Sequence, residues 1–112
     1  MAAMLAASDL VVSRAGASTV AEIASVGVAS ILVPWSGAAD DHQTLNAKWL
    51  ADAGAAELVD ERGDLKTALV DAVRVLSVDS GRRNRMAVAA RKLGEPSRNS
   101  SLIDVIGNAA LR

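Results

Sequence analysis

Short β-branched runs alternate with helix-length segments in the first half of this 112-residue sequence. Runs suited to strands are Asp9–Val12, Ser30–Val33 and Glu57–Val59, and helical patterns lie near Ala17–Val26 and Gln43–Ala53. Adjacent parallel strands need a crossover connection, and such crossovers are almost always right-handed. The alternation therefore predicts an α/β fold with a parallel sheet of about three strands and flanking helices.

The ends of these elements also carry signals. Gly27 and Gly54 lie just after the two helices, where glycine readily adopts the left-handed conformation of a C-cap. Beyond the third strand the sequence predicts a helical C-terminal tail with three apolar faces. These faces comprise Leu65, Leu69, Val73 and Leu76, then Met86, Ala89, Ala90 and Leu93, then Leu102, Val105, Ile106 and Ala109. Pro96 and the polar residues 97–101 predict a break between the last two helices.

Composition limits the core and the classes of function. A chain of 112 residues, 51% of them hydrophobic, can form one modest core. Its 23 alanines and the absence of Phe and Tyr predict packing by aliphatic side chains and closely approaching helices. A net charge of −1 argues against nucleic acid as a partner. The absence of cysteine excludes disulfides and thiolate metal sites, and it fits a reducing cytoplasm.

Two loops are notable because each follows a predicted strand and opens a predicted helix. Residues 13–22 read SRAGASTVAE, and residues 33–47 read VPWSGAADDHQTLNA. The unpaired N–H groups and partial positive charge at a helix start suit a diphosphate. Gly16 permits close approach of the backbone to a ligand, and the small Ala17, Ser18 and Thr19 leave room for a phosphate or a sugar.

Two features of the first loop also have a purely structural interpretation. Thr19 and Glu22 match a T-x-x-E capping box, in which hydroxyl and carboxylate serve only the amides of their own helix. Arg14 presents a fork of donors that matches two phosphate oxygens, but a surface salt bridge at the strand end would use it equally well. Both pairs of alternatives stay open on the sequence alone.

In the second loop the only histidine, His42, follows Asp40 and Asp41. Consecutive positions rarely converge on one ion, and no second His or Cys is present, so no metal site is predicted. An alternative, purely structural interpretation is that Asp40 or Asp41 caps the helix that begins near Gln43.

Taken together and in this order, the two loops resemble those of the MurG-type transferases, glycosyltransferase family 28. These enzymes have the two-domain GT-B fold and move N-acetylglucosamine from UDP onto a lipid-linked muramyl-pentapeptide in peptidoglycan synthesis. The similarity begins at the strand Asp9–Val12 and runs through Ala53–Ala56 into the helical tail. It implies that residues 1–112 form the last part of the family's nucleotide-sugar-binding C-terminal domain, with a partial Rossmann-like sheet. The N-terminal acceptor domain and the first strands of the C-terminal domain have no counterpart in this sequence.

The resemblance also assigns substrate-binding residues. The segment Ala17–Glu22 would bind the donor, with Glu22 accepting the ribose hydroxyls, and His42 and Gln43 would face the donor sugar. The whole set comprises Arg14, Gly16, Ala17, Ser18, Thr19, Val20, Ala21, Glu22, His42 and Gln43. Ser18 stands where many relatives carry Leu, and His42 where many carry Gln. Asn46 is expected to support the loop rather than contact the ligand.

The activity implied by the resemblance is that of an inverting UDP-N-acetylglucosamine transferase whose catalytic base comes from the N-terminal domain. No residue of this chain is predicted to be catalytic, and no cofactor is expected. The chain should be inactive alone and should need an acceptor-binding lobe, from the same gene or a separate subunit, to reach the lipid-linked acceptor.

The start of the sequence lacks the basic leader of a secretory signal and reads as the end of a helix. The expected location is the cytoplasm, with the complete enzyme at the inner face of the cell membrane. Two rivals stay open: a non-catalytic α/β binding module that keeps the loops for folding, and another GT-B transferase or epimerase.

Overall fold

The computed structural model describes residues 9–37 and 42–107, with side chains as far as residue 95. It is an α/β fold in which three short strands alternate with helices before a helical C-terminal part. The elements in chain order are β1 (Leu10–Ser13), α1 (Ala17–Val26), β2 (Ala29–Leu32), α2 (His42–Asp52), β3 (Ala56–Leu58), α3 (Leu65–Val78) and α4 (Ser80–Gly107). The predicted fold class is confirmed.

The strands form one parallel sheet in the order β1-β2-β3. Ser13 of β1 pairs with Leu32 of β2, and Leu32 pairs with Leu58 of β3, so the three strands end level with one another. In a parallel sheet this alignment brings the three following loops to one edge. That carboxyl edge is where parallel α/β sheets bind their ligands.

The predicted element bounds agree with the structure to within one residue. Helix α1 has the predicted bounds, β1 lies one residue later, and β2, β3 and α2 each lie one residue earlier. Val33 and Val59 fall just beyond their strands, yet they still donate to Ser13 O and Leu32 O at 2.9 Å. The apolar pattern includes these two valines because their environment still resembles that of a strand.

The central strand separates two clusters of buried side chains. Side chains alternate along a strand, so Leu32 contributes to one cluster and Ile31 to the other. The Leu32 cluster packs α1, α2 and α4 against the sheet and includes Val20, Ile23, Ala24, Leu50 and Ala90. The Ile31 cluster packs α3 and the beginning of α4 and includes Val33, Val59, Leu76 and Met86. The predicted apolar faces of α3 and of the first part of α4 are therefore confirmed.

The predicted break at Pro96 is wrong, because α4 runs without interruption from Ser80 to Gly107. A proline removes one backbone donor and crowds one carbonyl, which can bend a helix without ending it. The predicted third helix is thus the continuation of α4. Its last predicted apolar position, Ala109, and the start of the chain at residues 1–8 lie outside the described residues.

Polar groups fix the starts of α3 and α4 and the junction between them. Asp64 accepts a hydrogen bond from Thr67 N at 3.3 Å, and Asp79 accepts one from Arg82 N at 2.9 Å. Arg83 donates to the carbonyls of Leu76 and Ser77, which satisfies two acceptors at the end of α3.

None of the described helices has the combination of length and apolar content that crossing a membrane requires.

Both predicted C-cap glycines adopt left-handed conformations, with φ of 77° at Gly27 and 79° at Gly54. They differ in their surroundings. A Cβ on Gly27 would lie 2.8–2.9 Å from Arg91 side-chain atoms of α4, whereas a Cβ on Gly54 would meet nothing within 4 Å. Gly27 therefore serves both a turn and a close helix contact.

The two glycines form a matched pair for mutation. Gly54→Ala should cost about 1 kcal/mol of unfolding free energy, because only the left-handed conformation is penalised. Gly27→Ala should lower the unfolding free energy by about 1 kcal/mol more than Gly54→Ala, because the added Cβ would also overpack against Arg91. Chemical denaturation of both variants measures the difference. Equal losses of unfolding free energy in the two variants would show that α4 can shift at this contact without measurable cost.

Among the described residues β1 pairs only with β2, so in that part of the chain its other edge has no strand partner. Val12 of this strand is 46% exposed. Unpaired strand edges recruit other strands.

We expect the isolated chain to self-associate or to be poorly soluble because of the open β1 edge. Size-exclusion chromatography with light scattering over a range of concentrations should show species larger than a monomer. A monomer at every concentration, with cooperative unfolding, would contradict this expectation.

Candidate functional site at the carboxyl edge

Three loops meet at the carboxyl edge of the sheet. Taken from strand end to helix start, the first loop now comprises residues 14–16 after β1 and the second loop residues 33–41 after β2. A third loop, residues 59–64, follows β3. Residues 38–41 of the second loop lie outside the described residues. The described parts of all three loops are joined to one another by side-chain hydrogen bonds.

Gln43, in the first turn of α2, joins the first loop to the second. Its Oε1 accepts hydrogen bonds from Ala15 N at 3.2 Å and Trp35 N at 2.9 Å. Both partners are N–H donors, so the amide oxygen must face them. Gln43 thus holds both backbone segments from one side-chain atom.

Asn46 lies about one helical turn after Gln43 and contacts the same peptide segment. Its Nδ2 donates to Ala15 O at 3.0 Å. Ala15 is fully buried, and both its N–H and its C=O are bonded to α2. The expectation that Asn46 supports the loop is confirmed.

Glu61 joins the third loop to the other two. Its Oε1 accepts from Arg14 Nη1 at 2.5 Å, and its Oε2 accepts from both Ser36 N and Ser36 Oγ at 2.6 Å. Hydrogen bonds from the Ser36 hydroxyl, the Ser36 N–H and Arg14 lower the pKa of Glu61 to about 2. The sequence analysis did not single out this residue.

Arg14 has the salt bridge that its structural interpretation predicts. Its side chain is 52% exposed and contacts Glu61 through Nη1. A guanidinium carries five N–H donors, so one bond leaves others for a second acceptor. Phosphate binding by Arg14 therefore stays a prediction.

The start of α1 differs from the predicted capping box. The N-cap is Gly16, with φ −63° and ψ 150°, and no side chain of the described residues caps the helix. Thr19 is the third helical residue and Glu22 the sixth, whereas the predicted box requires Thr19 at the N-cap. The predicted capping box is therefore wrong. Two hydrogen bonds between α2 and Ala15 direct the chain into the helix at Gly16, three residues before Thr19.

The first turn of α1 consequently presents backbone N–H groups with no side-chain cap. Val20 N is the first to bond within the helix, to Gly16 O at 2.9 Å. Gly16 has an ordinary φ, and a Cβ there would meet no atom within 4 Å. Nothing in the described structure requires glycine at this position, and the space beside the helix start is open.

The other predicted site residues are placed as follows. Ala17, Ser18 and Ala21 are exposed, Thr19 is half-buried, and the Val20 side chain belongs to the core, so only its backbone could serve a ligand. Glu22 is partly buried, and its Oε2 has no hydrogen-bond partner among the described residues.

His42 begins α2 and is exposed, next to Gln43. Asp40 and Asp41, proposed as caps of this helix, lie outside the described residues. Within those residues, no group of three or more His, Asp or Glu side chains is arranged to hold a metal ion.

Comparison with known proteins identifies the family. Residues 1–102 match the model of the glycosyltransferase family 28 C-terminal domain. The chain belongs to this family.

Full-length relatives carry the name UDP-N-acetylglucosamine--N-acetylmuramyl-(pentapeptide) pyrophosphoryl-undecaprenol N-acetylglucosamine transferase. The one from Xanthomonas campestris pv. campestris is 48% identical over 106 residues, covering 95% of this chain and 25% of the relative. The one from Burkholderia cenocepacia is 48% identical over 110 residues, covering 98% of this chain and 29% of the relative. This family 28 chain thus spans about a quarter of the length of its relatives.

A solved structure supports the same assignment. The crystal structure of Acinetobacter baumannii MurG matches with a TM-score of 0.70 and 44% sequence identity, covering 76% of this chain and 24% of that one. The three parallel strands with their helices therefore correspond to part of the C-terminal GT-B domain of the family.

The depressed pKa of Glu61 predicts how stability depends on pH. Folding lowers this pKa from 4.5 to about 2, so the contribution of Glu61 is complete above pH 4.5 and is lost as pH falls toward 2. Glu61→Gln should therefore flatten the fall in melting temperature across this interval. Melting curves from pH 2 to 6 test it, with the exposed surface variant Glu95→Gln as control. Parallel curves for the wild type and Glu61→Gln would contradict the prediction.

Proposed function

We propose that this chain supplies part of the donor site of a transferase that moves N-acetylglucosamine from UDP to a lipid-linked muramyl-pentapeptide. The names of the relatives support this substrate pair. The observation that carries the proposal is the uncapped N-terminus of α1 at the carboxyl edge, beside the open space at Gly16. Backbone amides and the helix dipole at such a position favour a diphosphate, and they would stabilise UDP as it departs.

Glu22 would hold the ribose. The capping interpretation required its carboxylate to serve its own helix, and the observed N-cap removes that requirement. A buried carboxylate oxygen without a partner is costly, and two adjacent hydroxyls would supply the missing donors.

Gln43 and His42 would face the sugar from the start of α2. The oxygen of Gln43 is used by two backbone amides, so its contribution to the sugar would come from the amide nitrogen. Arg14 would complete the site through guanidinium donors that Glu61 does not use.

The acceptor would be bound and activated elsewhere. A base must deprotonate the acceptor hydroxyl, and none of the described side chains at the carboxyl edge is assigned that role. We propose that an acceptor-binding lobe, in the same polypeptide or a separate subunit, supplies this base. The complete enzyme would work in the cytoplasm at the inner face of the membrane, where the lipid carrier is accessible.

A non-catalytic binding module is the second candidate. The observation in its favour is that Gln43, Asn46 and Glu61 all use polar atoms to brace the loops. Such a module would keep these contacts and bind no nucleotide sugar.

Replacement of Glu22 tests the donor site. Glu22→Gln should weaken UDP-N-acetylglucosamine binding by roughly 1.5–3 kcal/mol, the value of hydrogen bonds to a charged group. The melting temperature should stay the same or rise, because a buried carboxylate oxygen with no partner among the described residues is replaced by a neutral amide. Calorimetric titration paired with thermal melts measures both quantities, and Glu95→Gln on the surface of α4 is the matched control.

Unchanged affinity in Glu22→Gln would remove Glu22 from the site. Absence of nucleotide-sugar binding by the wild-type chain would favour the binding-module alternative.

A further inference from the structure

The Glu61 side chain connects the third loop to the described parts of the first and second loops. Two of its three hydrogen bonds go to Ser36, from the backbone N–H and from the hydroxyl, both at 2.6 Å. The third comes from Arg14. The side chain is 16% exposed, and its three hydrogen bonds lie at the solvent-exposed rim of the carboxyl edge.

The bonds to Ser36 constrain the segment that leads into α2. Trp35 N is held by Gln43, and Ser36 N is held by Glu61, so two consecutive peptide groups are anchored to different elements. Ser36 is therefore linked to Gln43 through its neighbour Trp35. Under the proposed function, His42 and Gln43 face the sugar, whereas the α1 N-terminus and Glu22 bind the nucleotide.

We propose that Glu61 is a positioning residue for the donor sugar, because it fixes Ser36 and with it the Trp35–Ser36 segment that also binds Gln43. The inference rests on the proposed function, because it takes His42 and Gln43 as the residues that face the sugar. The observed bonds of Glu61 go to Arg14 and Ser36, and its effect on the sugar passes through Ser36.

If Glu61 acted in another way, its loss would change the affinities for UDP and UDP-N-acetylglucosamine differently. If Glu61 acted through Arg14, its loss would alter contacts to the diphosphate, which UDP and UDP-N-acetylglucosamine share. If Glu61 only stabilised the fold, its loss would lower the melting temperature without distinguishing the two ligands. The ratio of the two affinities therefore isolates the route through Ser36.

The neighbouring Asp60 offers a matched control. Its carboxylate accepts from the backbone and side chain of Arg62, so all its observed bonds stay within the third loop. Asp60→Ala removes an acid from the same loop without touching Ser36 or Arg14.

The experiment is calorimetric titration of UDP-N-acetylglucosamine and of UDP into the wild-type chain, Glu61→Ala and Asp60→Ala, below the melting temperature of each. Glu61→Ala should weaken UDP-N-acetylglucosamine binding about tenfold, the equivalent of one lost charge-assisted hydrogen bond. UDP binding by Glu61→Ala, and both affinities of Asp60→Ala, should stay within about twofold of wild type. Glu61→Gln, which keeps one acceptor oxygen, should fall between the wild type and Glu61→Ala, and it replaces Glu61→Ala if that variant does not fold.

Equal weakening of both ligands, or no weakening, would overturn the role assigned to Glu61 and leave the proposed function intact. A wild-type chain that binds UDP but does not distinguish UDP-N-acetylglucosamine from it would also overturn the inference. A wild-type chain that binds neither ligand would reject the proposed function itself.

Discussion

The two hydrogen bonds accepted by Gln43 Oε1 are the interaction on which the carboxyl edge depends. A parallel sheet brings its loops together, but it provides no ladder partners for the backbone beyond the strand ends. Ala15 N and Trp35 N lie in that position, and one amide oxygen satisfies both. With Asn46 holding Ala15 O, helix α2 sets where the first loop ends and where α1 begins. The open amides of α1 are thus a consequence of contacts made 28 and 31 residues away in the chain.

Much of the fold could be predicted because its signals are local. Strand and helix periodicity located the elements to within one residue, and Gly27 and Gly54 marked two helix ends. The start of α1 could not be predicted in this way. The T-x-x-E pattern at Thr19 is a valid local signal. The hydrogen bonds from α2 to Ala15 nevertheless start the helix earlier, at Gly16. At Pro96 the local signal also failed, since one missing donor did not end the helix.

Some features of the candidate site also have local sequence signals, whereas others depend on tertiary contacts. Loops at strand ends are recognisable in sequence, and the first turns of α1 and α2 do lie at one edge of the sheet. Glu61 carried no such signal, because its partners Arg14 and Ser36 are 47 and 25 residues away. Only the register of the sheet, which makes the strands end level, brings the three loops within reach of one carboxylate.

Helix α4 has a consequence for how the molecule can move. It contributes Met86 to the buried cluster on one face of the sheet and Ala90 to the cluster on the other. Neither layer can melt without exposing apolar surface in the other, so a sheet of only three strands still behaves as one cooperative unit.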